Sequence, residues 1–401
     1  MRILVITPYY YPALIYGGPS FSVYYLVQGL AEAGAQVKVL TTNANGNRKL
    51  DIPLRERVLV GGVPTEYHPL SPFFTKRYFY SHSLKKSIVS QIHNFDLVHI
   101  QGTFVYPTLI AAKESWLAGK PFIITPRGAW DPWSLRQKRL KKKLYFEVFE
   151  RRWINRAVAI HYTTEAEKRL ANRLGLKVPG FVVPNPVFLE PLESEDAPLK
   201  FRKYWGIPEN APVILFLGRI HPKKGVGLLF SAFADLRRSL PEAWLIIAGP
   251  DGEGFTNHYK KLAASLGVSD HIVWTGLVSG SEKTACYYAA DIFVLPSHQE
   301  NFGMAVAEAM LCELPVLISP GVNLANFVLK YGAGEVIPLN NRLWTIKIIE
   351  WLKNDERRKS AGKYGNKAAK KAFSIDSVAR QMVNIYLKIL KGEKLDDNFR
   401  H

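Results

Sequence analysis

Two pairs of charged residues are spaced for work on a phosphate-bearing ligand. Glu300 and Glu308 stand on either side of Asn301-Phe302-Gly303 and of a run of small and apolar residues, 304–310. Directly upstream, residues 291–296 read DIFVLP, a short apolar run of strand character closed by proline. Strand, tight polar loop and helix start follow one another. That order offers unpaired backbone N–H groups and a partial positive charge, which suit an anion. Asn301 is placed to cap the helix, and Gly303 would let a ligand come close to the backbone. The second pair, Arg219 and Lys224, lies in GRIHPKKG, residues 218–225, between the apolar run VILFLG and a helical pattern. A guanidinium fork and an ammonium at the carboxyl end of a strand can clamp a diphosphate. Taken singly, each loop is equally well an ordinary strand–helix turn with a solvated charged face. Two such loops in one sheet pattern favour a site.

The elements that must hold these residues form a repeated β–α pattern. Residues 2–7 read as a buried strand, a loop with Gly17-Gly18 follows, then a helix over 21–33 that stops at Gly34, and a strand over 37–41. A glycine turn after the first strand is where doubly wound folds bind phosphate or leave room for substrate. There is no G-x-G-x-x-G, so a dinucleotide fingerprint is not supported. Further strands are expected at 97–100, 122–125, 157–162 and 180–183, and helices at 105–118, 135–155 and 165–174. Pro184-Asn185-Pro186 interrupts, and the acidic, proline-containing stretch 190–198 reads as a linker. The pattern then restarts. Strands are expected at 213–218, 244–249, 272–275, 292–295 and 315–318, with helices between them and three more at 343–354, 356–372 and 375–390. The expected fold is α/β, with two doubly wound parallel-sheet domains, 1–188 and 189–374, and a cleft between the carboxyl ends of their sheets.

Composition narrows the function classes. The 401 residues are 47% hydrophobic and 22% charged, an ordinary globular balance. Two cysteines, Cys286 and Cys312, cannot build a disulfide framework or a zinc site by themselves, and a reducing compartment fits them best. The apolar start reads as a strand, without the charged lead-in of a signal peptide. No stretch reaches the roughly 18 apolar residues of a transmembrane helix. The net charge of +19 is uneven: residues 1–190 carry 26 Lys and Arg against 12 Asp and Glu, residues 191–401 carry 27 against 22. The first half therefore faces something acidic, whether a lipid surface, a phosphate-bearing substrate or a nucleic acid. No nucleic-acid readout motif accompanies the charge, so nucleic acid is not an expected partner.

Together, Gly218-Arg219…Lys224-Gly225, Glu300-Asn301-Phe302-Gly303…Glu308-Ala309-Met310 with Pro315-Val316, the Gly17-Gly18 loop and Pro184-Asn185 resemble the retaining glycosyltransferases of family 4. The resemblance runs over essentially the whole chain. It implies the GT-B architecture, with an acceptor-binding N-terminal domain, a nucleotide-sugar-binding C-terminal domain and a final segment, 375–401, returning to the first. Carried over, Arg219 and Lys224 would bind the donor diphosphate and serve catalysis. Glu300 would contact the hydroxyls of the transferred sugar, and Glu308 would take the ribose diol. Asn301, the backbone near Phe302, Gly303 and Met304, the backbone near Val278, and Gly18 would complete the donor site. Gly17, Gln101 and Gly102 would lie on the acceptor side. The donor would be a UDP- or GDP-sugar and the acceptor a glycan or a lipid-linked molecule. With no D-x-D sequence, the Arg/Lys pair would stand in for a metal. An epimerase or phosphorylase of the same fold, or a nucleic-acid-binding protein, is the alternative.

Three positions depart from the family. Arg127, in Thr125-Pro126-Arg127-Gly128, stands where many members carry a catalytic-site His. It cannot act as a base but could pair with phosphate or with Glu300. Glu313 stands where glycine would supply a left-handed helix cap, so another cap geometry is expected. His99-Ile100-Gln101-Gly102 resembles a His-x-His-Gly loop with the second His replaced, and His99 is expected to be buried and satisfied. Two basic stretches remain. Residues 134–156 carry nine Lys and Arg against two Glu, with Leu140, Leu144, Phe146, Phe149 and Trp153 at roughly helical spacing. This is either a membrane-surface helix or a core-packed helix with a solvated face. Residues 73–86 interleave aromatics with cations, as a mobile acceptor loop or an interfacial anchor would. On the membrane reading, the protein sits on the inner face of the cytoplasmic membrane.

Overall fold

The computed structural model describes residues 1–71, 78–136, 139–251 and 254–395. The chain divides into two units, Met1–Pro186 with Ser374–His401, and Val187–Phe373.

In the first unit the apolar runs become strands β1 (Arg2–Ile6) and β2 (Gln36–Thr42), a short hairpin of β3 (Ala44–Asn45) and β4 (Arg48–Lys49), then β5 (Arg57–Val60), β6 (Val63–His68), β7 (Leu97–Gln101), β8 (Phe122–Thr125), β9 (Ala159–Tyr162) and β10 (Gly180–Val182). Eight of them form one sheet in the order β10-β9-β8-β7-β1-β2-β6-β5, parallel except for the β5–β6 pair. Alternate residues of β1 serve two cores. Ile3 and Val5 pack with helices Gly18–Glu32 and Ile375–Leu390, whereas Leu4 and Ile6 pack with helices His82–Gln91 and Tyr106–Leu117. The edge hairpin β5–β6 escaped the sequence reading, although Gly61-Gly62 between two apolar runs is a hairpin signal. Helix His82–Gln91 also escaped it. Its cap is Ser81, whose hydroxyl accepts from the Leu84 N–H at 3.3 Å, so Lys85 and Lys86 are helical and not part of a loop. Of the stretch 73–86, residues 73–77 lie outside the described residues.

A one-way hydrogen-bond chain ties the final helix to this sheet. His161 Nε2 reaches the Val183 carbonyl at 2.8 Å and must donate to it, so its Nδ1 accepts from the Thr125 hydroxyl at 3.0 Å. That hydroxyl then accepts from His99 Nε2 at 2.7 Å, and His99 Nδ1 accepts from Tyr386 O–H at 2.7 Å. Burial holds both imidazoles below the usual histidine range, His161 at about 3, so the neutral forms required by the chain are the ones present. His99 is thus buried and satisfied, as expected.

The helix expected over 135–155 is present with a change of winding inside it. It appears as Pro132–Arg136 and Arg139–Tyr145, a π-helical turn Phe146–Glu150, and Arg151–Ile154. Residues 137–138 are outside the described residues. The extra residue of a π turn shifts the face that looks inward, and it buries the Glu150 carboxylate against the Phe104 N–H. Burial pushes Glu150 up to about 8. A carboxyl whose pKa is higher folded than unfolded stabilises the fold below the unfolded value and loses that contribution as pH rises toward the folded one. Glu150→Gln is therefore expected to change the melting temperature little near pH 5 and to raise it increasingly toward pH 8, read by calorimetry across that range.

The second unit holds β11 (Val213–Leu217), β12 (Trp244–Ala248), β13 (Ile272–Gly276), β14 (Ile292–Leu295), β15 (Val316–Ile318) and β16 (Gly334–Val336). They form a parallel sheet in the order β13-β12-β11-β14-β15-β16. The stretch read as a linker, 190–198, belongs to this unit. Ala197 opens helix Ala197–Tyr204, and Pro198 sits in its first turn, where a missing N–H costs nothing. Among the described residues no helix is long and apolar enough to cross a membrane.

Candidate donor site

The order of the second sheet explains why Arg219, Lys224 and Glu300 belong together. From β11 the chain crosses to β12 on one side; after β13 it returns to place β14 on the other side of β11. The loops that follow β11 and β14 therefore diverge from neighbouring carboxyl ends, which is where a doubly wound sheet opens a crevice. The first loop runs through a tight turn, Pro222–Lys224, capped by His221, whose Nδ1 accepts from the Lys223 N–H at 3.0 Å. It ends at Gly225, in the left-handed conformation with φ 71°. A Cβ here would lie 1.9 Å from the Pro296 carbonyl oxygen, so only glycine lets the two loops touch. Gly225→Ala is expected to cost roughly 2 kcal/mol or more from its left-handed backbone and steric overlap, seen as a lowered melting transition together with weaker nucleoside diphosphate binding.

Across this contact Lys224 Nζ pairs with Glu300 Oε1, both side chains less than a fifth exposed. Ser297 Oγ donates to the same oxygen at 3.3 Å. The Glu300 backbone is fixed separately: its N–H donates to the Gly321 carbonyl at 2.8 Å, and its carbonyl accepts from the Asn323 N–H at 3.1 Å. Arg219 is exposed beside this pair in sequence and strand position. A cation pair with one member pre-paired to a carboxylate is suited to exchange that partner for phosphate oxygens.

Helix Met304–Leu311 starts at the end of the β14 loop. Asn301 does not cap it. The cap residue is Gly303 at φ 92°, with no side-chain hydrogen bond, and the Asn301 carbonyl instead accepts from Asn323 Nδ2 at 3.0 Å. The first-turn N–H groups around Gly303 and Met304 are thus left without a side-chain competitor, a better arrangement for an anion than the expected cap. Phe302 is buried against Phe373, centroids 5.3 Å apart, so only its backbone is on offer. Val278, just past β13, is likewise a core side chain.

Glu308 is buried, with both oxygens engaged. Lys283 Nζ lies 3.0 Å from Oε1, and Tyr287 O–H donates to Oε2 at 2.8 Å. Burial and the Glu308 charge push the Tyr287 hydroxyl well above its usual range, so it stays a donor. The sequence reading missed both residues. Their signal is the spacing of four, which puts Lys283 and Tyr287 on one face of helix Gly280–Tyr288. At the far end of helix Met304–Leu311, Glu313 takes the left-handed position itself, φ 56°. The Glu313 N–H donates to Met310 and the Leu314 N–H to Ala309, the closure that a glycine was expected to make. The expectation of another cap geometry is therefore overturned: buried Leu314 and the two bonds hold a non-glycine residue where glycine is the easier choice.

In the first unit, Gly17 (φ 65°) caps helix Gly18–Glu32. Gly102 continues the pairing of β7 with β8 through its N–H to the Thr125 carbonyl, 2.8 Å. Arg127 is engaged within this unit through two of its three nitrogens, and its other terminal nitrogen is buried without a partner among the described residues. Its Nε donates to Gln101 Oε1 at 2.9 Å, and one terminal nitrogen donates to Ser22 Oγ at 2.8 Å and Asn185 Oδ1 at 2.6 Å. Burial lowers its pKa to about 10, with the Glu167 charge opposing, so it remains cationic. Gln101 is buried, and its carbonyl oxygen accepts from Arg127.

Comparison with known proteins places this geometry in a family. Residues 199–368 match the model described as Glycosyl transferases group 1, and residues 16–190 match Glycosyltransferase Family 4. The chain belongs to these glycosyltransferases. A D-inositol 3-phosphate glycosyltransferase of Kineococcus radiotolerans is 30% identical over 267 residues, 61% of this chain and 60% of that protein. The same enzyme of Corynebacterium efficiens is 31% identical over 205 residues, 50% of this chain and 48% of that one. The chain thus spans about half to three-fifths of the length of the curated relatives it matches. In fold, the chain is similar to sucrose-phosphate synthase from Thermosynechococcus elongatus, with TM-score 0.77 at 19% identity, covering 98% of this chain and 100% of that one. It is also similar to the Anabaena protein HepE in complex with UDP and glucose, with TM-score 0.76 at 18% identity, covering 97% and 100%.

Proposed function

We propose that the protein is a retaining, metal-independent hexosyltransferase. It moves a hexose from a UDP- or GDP-sugar to a glycan or lipid-linked acceptor in the making of cell-surface polysaccharide or glycolipid. The observation that carries this is the Lys224–Glu300 pair across the β11–β14 switch point, next to Arg219 and to a helix start without a side-chain cap. The UDP complex of the Anabaena protein and the glycosyltransferase relatives support a nucleotide-sugar donor. On this reading Arg219 and Lys224 grip the diphosphate, and the amides near Gly303 and Met304 face its oxygens. Glu300, released by Lys224, turns to the sugar hydroxyls and favours positive charge at the anomeric carbon. Glu308, oriented by Lys283 and Tyr287, uses its remaining lone pairs for the ribose diol. As the anomeric carbon–oxygen bond breaks, its electron pair goes to the diphosphate, which two cations and a helix N-terminus stabilise. The acceptor hydroxyl attacks from the same face and its proton passes to the departing phosphate oxygen, so configuration is retained.

The acceptor is assigned to the N-terminal unit. The charge of residues 1–190 is the reason to count an anionic membrane surface among the partners and to place the enzyme on the inner face of the cytoplasmic membrane. Thermal shift separates the readings. UDP or GDP is expected to raise the melting temperature and single- or double-stranded oligonucleotides are not; the reverse result removes the transferase assignment. Donor turnover should also persist in EDTA. Activity abolished by chelator and restored by magnesium or manganese would overturn the cation clamp.

A further inference from the structure

The segment after residue 138 turns an apolar ridge outward. Leu140 is 82% exposed, Leu144 65%, Val148 57% and Phe149 50%. Such a row of large apolar side chains on one element is the informative kind of exposure. The π turn Phe146–Glu150 sorts the faces: Phe146, Glu150 and Ile154, four apart, look inward and are buried, while Leu140, Leu144 and Val148, also four apart, look outward. Phe146, which the sequence pattern grouped with the ridge, packs instead against Trp130 at 6.2 Å. Exposed Arg139, Lys141 and Lys143 alternate with Leu140 and Leu144 along the ridge, and exposed Arg152 follows it. Arg152 lies 4.7 Å over the Trp153 ring and Arg156 3.9 Å over Trp116, so two indoles carry cations at the ridge's far end. The acid on the outward side, Glu147, is held by Arg151 at 2.5 Å and 2.7 Å.

We propose that this ridge seats in the interface of a bilayer containing anionic lipids, with Leu140, Leu144, Val148 and Phe149 entering the headgroup–acyl boundary and Arg139, Lys141, Lys143 and Arg152 meeting lipid phosphates. The proposal rests on the membrane-located acceptor of the preceding section and names the element that meets it. Charge complementarity selects the occupant. A second copy would bring the same cations face to face. A nucleic acid would gain nothing from exposed leucines, which cannot stack on bases as aromatics do. A row of three aliphatic side chains and one phenylalanine, flanked by cations, suits a fluid interface, which needs no complementary pocket. Long basic side chains beside the ridge can extend to the phosphates while their stems stay in apolar surroundings.

Co-sedimentation with vesicles tests it on the full chain. The protein is expected to bind vesicles of mixed phosphatidylcholine and phosphatidylglycerol at low salt, to bind phosphatidylcholine alone weakly, and to release with added salt. Leu140→Glu with Leu144→Glu should reduce binding by about tenfold or more. Both residues are exposed, so melting temperature and its rise with UDP or GDP should be unchanged. That control also separates the two ideas, since a failed donor reading shows in the nucleotide shift and not in sedimentation. Lys141→Ser with Lys143→Ser should weaken binding and flatten its salt dependence. No binding of the wild type to the mixed vesicles at low salt overturns the proposal. So does full binding by the double glutamate variant, which would make the attraction electrostatic only. A wild-type dimer that the glutamate variant dissolves, without vesicle binding, assigns the ridge to a second copy and overturns it as well.

Discussion

Glu300→Ala is expected to lower kcat by about a thousand-fold, the scale set by loss of one preorganised charge-stabilising group, while nucleoside diphosphate binds within a few-fold of wild type. The separation follows from how Glu300 is held. Its backbone is anchored to Gly321 and Asn323 by bonds that do not involve the side chain, so the loop and the helix start behind it should persist in the variant. What disappears is the carboxylate that pairs with Lys224 and faces the sugar in the proposed complex. Without it Lys224 is free for the diphosphate at once, which protects or slightly raises UDP or GDP affinity. Isothermal titration with the nucleotide and single-turnover transfer from the sugar nucleotide measure the two halves. Glu300→Gln divides the effect further. It keeps hydrogen bonds to hydroxyls and removes the charge, so a variant nearly as slow as alanine assigns the role to charge at the anomeric carbon. Turnover of the alanine variant at the wild-type rate would take Glu300 out of the site.

The backbone of this site was legible in the sequence because it depends on local pattern. Helix Ile375–Leu390 falls where its amphipathic spacing put it, and β11, β14 and their loops stand where apolar runs meet polar glycine turns. What could not be read depends on contacts far apart in the chain. Asn301 has the chemistry of a cap, but the Asn323 side chain holds its carbonyl, and the bend at Gly303 starts the helix two residues later. Glu313 is a poor residue for a left-handed cap by propensity alone, and the cost of about 1–2 kcal/mol is borne by the closure around Leu314. Lys283 and Tyr287 meet Glu308 only because one helix packs beside another. The π turn at Phe146–Glu150 is invisible to a pattern of constant period, which is why one amphipathic face was expected and two were found.

Arg127 is held by three contacts that its sequence motif did not foretell. Arg127→Met is expected to destabilise the first unit by roughly 3–5 kcal/mol, the scale for removing one partner from a buried ionic cluster. In wild type its guanidinium joins four separate parts of that unit: Ser22 on the helix after the Gly17 turn, Gln101 at the end of β7, its own loop after β8, and Asn185 beyond β10. Nearby, Glu167 is buried and accepts from the Gly128 N–H and from the Thr163 N–H and hydroxyl, each at 2.8 Å. Burial raises its pKa, and the Arg127 charge is among the forces that oppose the rise. Removing that charge drives Glu167 further toward its neutral form and leaves the Gln101 and Asn185 oxygens without their donor. Arg127→Lys should recover little, because one ammonium cannot reproduce donation from two guanidinium nitrogens to three acceptors in different directions. Urea unfolding followed separately from the nucleotide-stabilised second unit gives the measurement, and UDP or GDP binding should survive in the methionine variant. If Arg127→Met instead keeps the wild-type unfolding midpoint and loses only turnover, the guanidinium acts on substrate, and the anchoring role derived from its three acceptors is wrong.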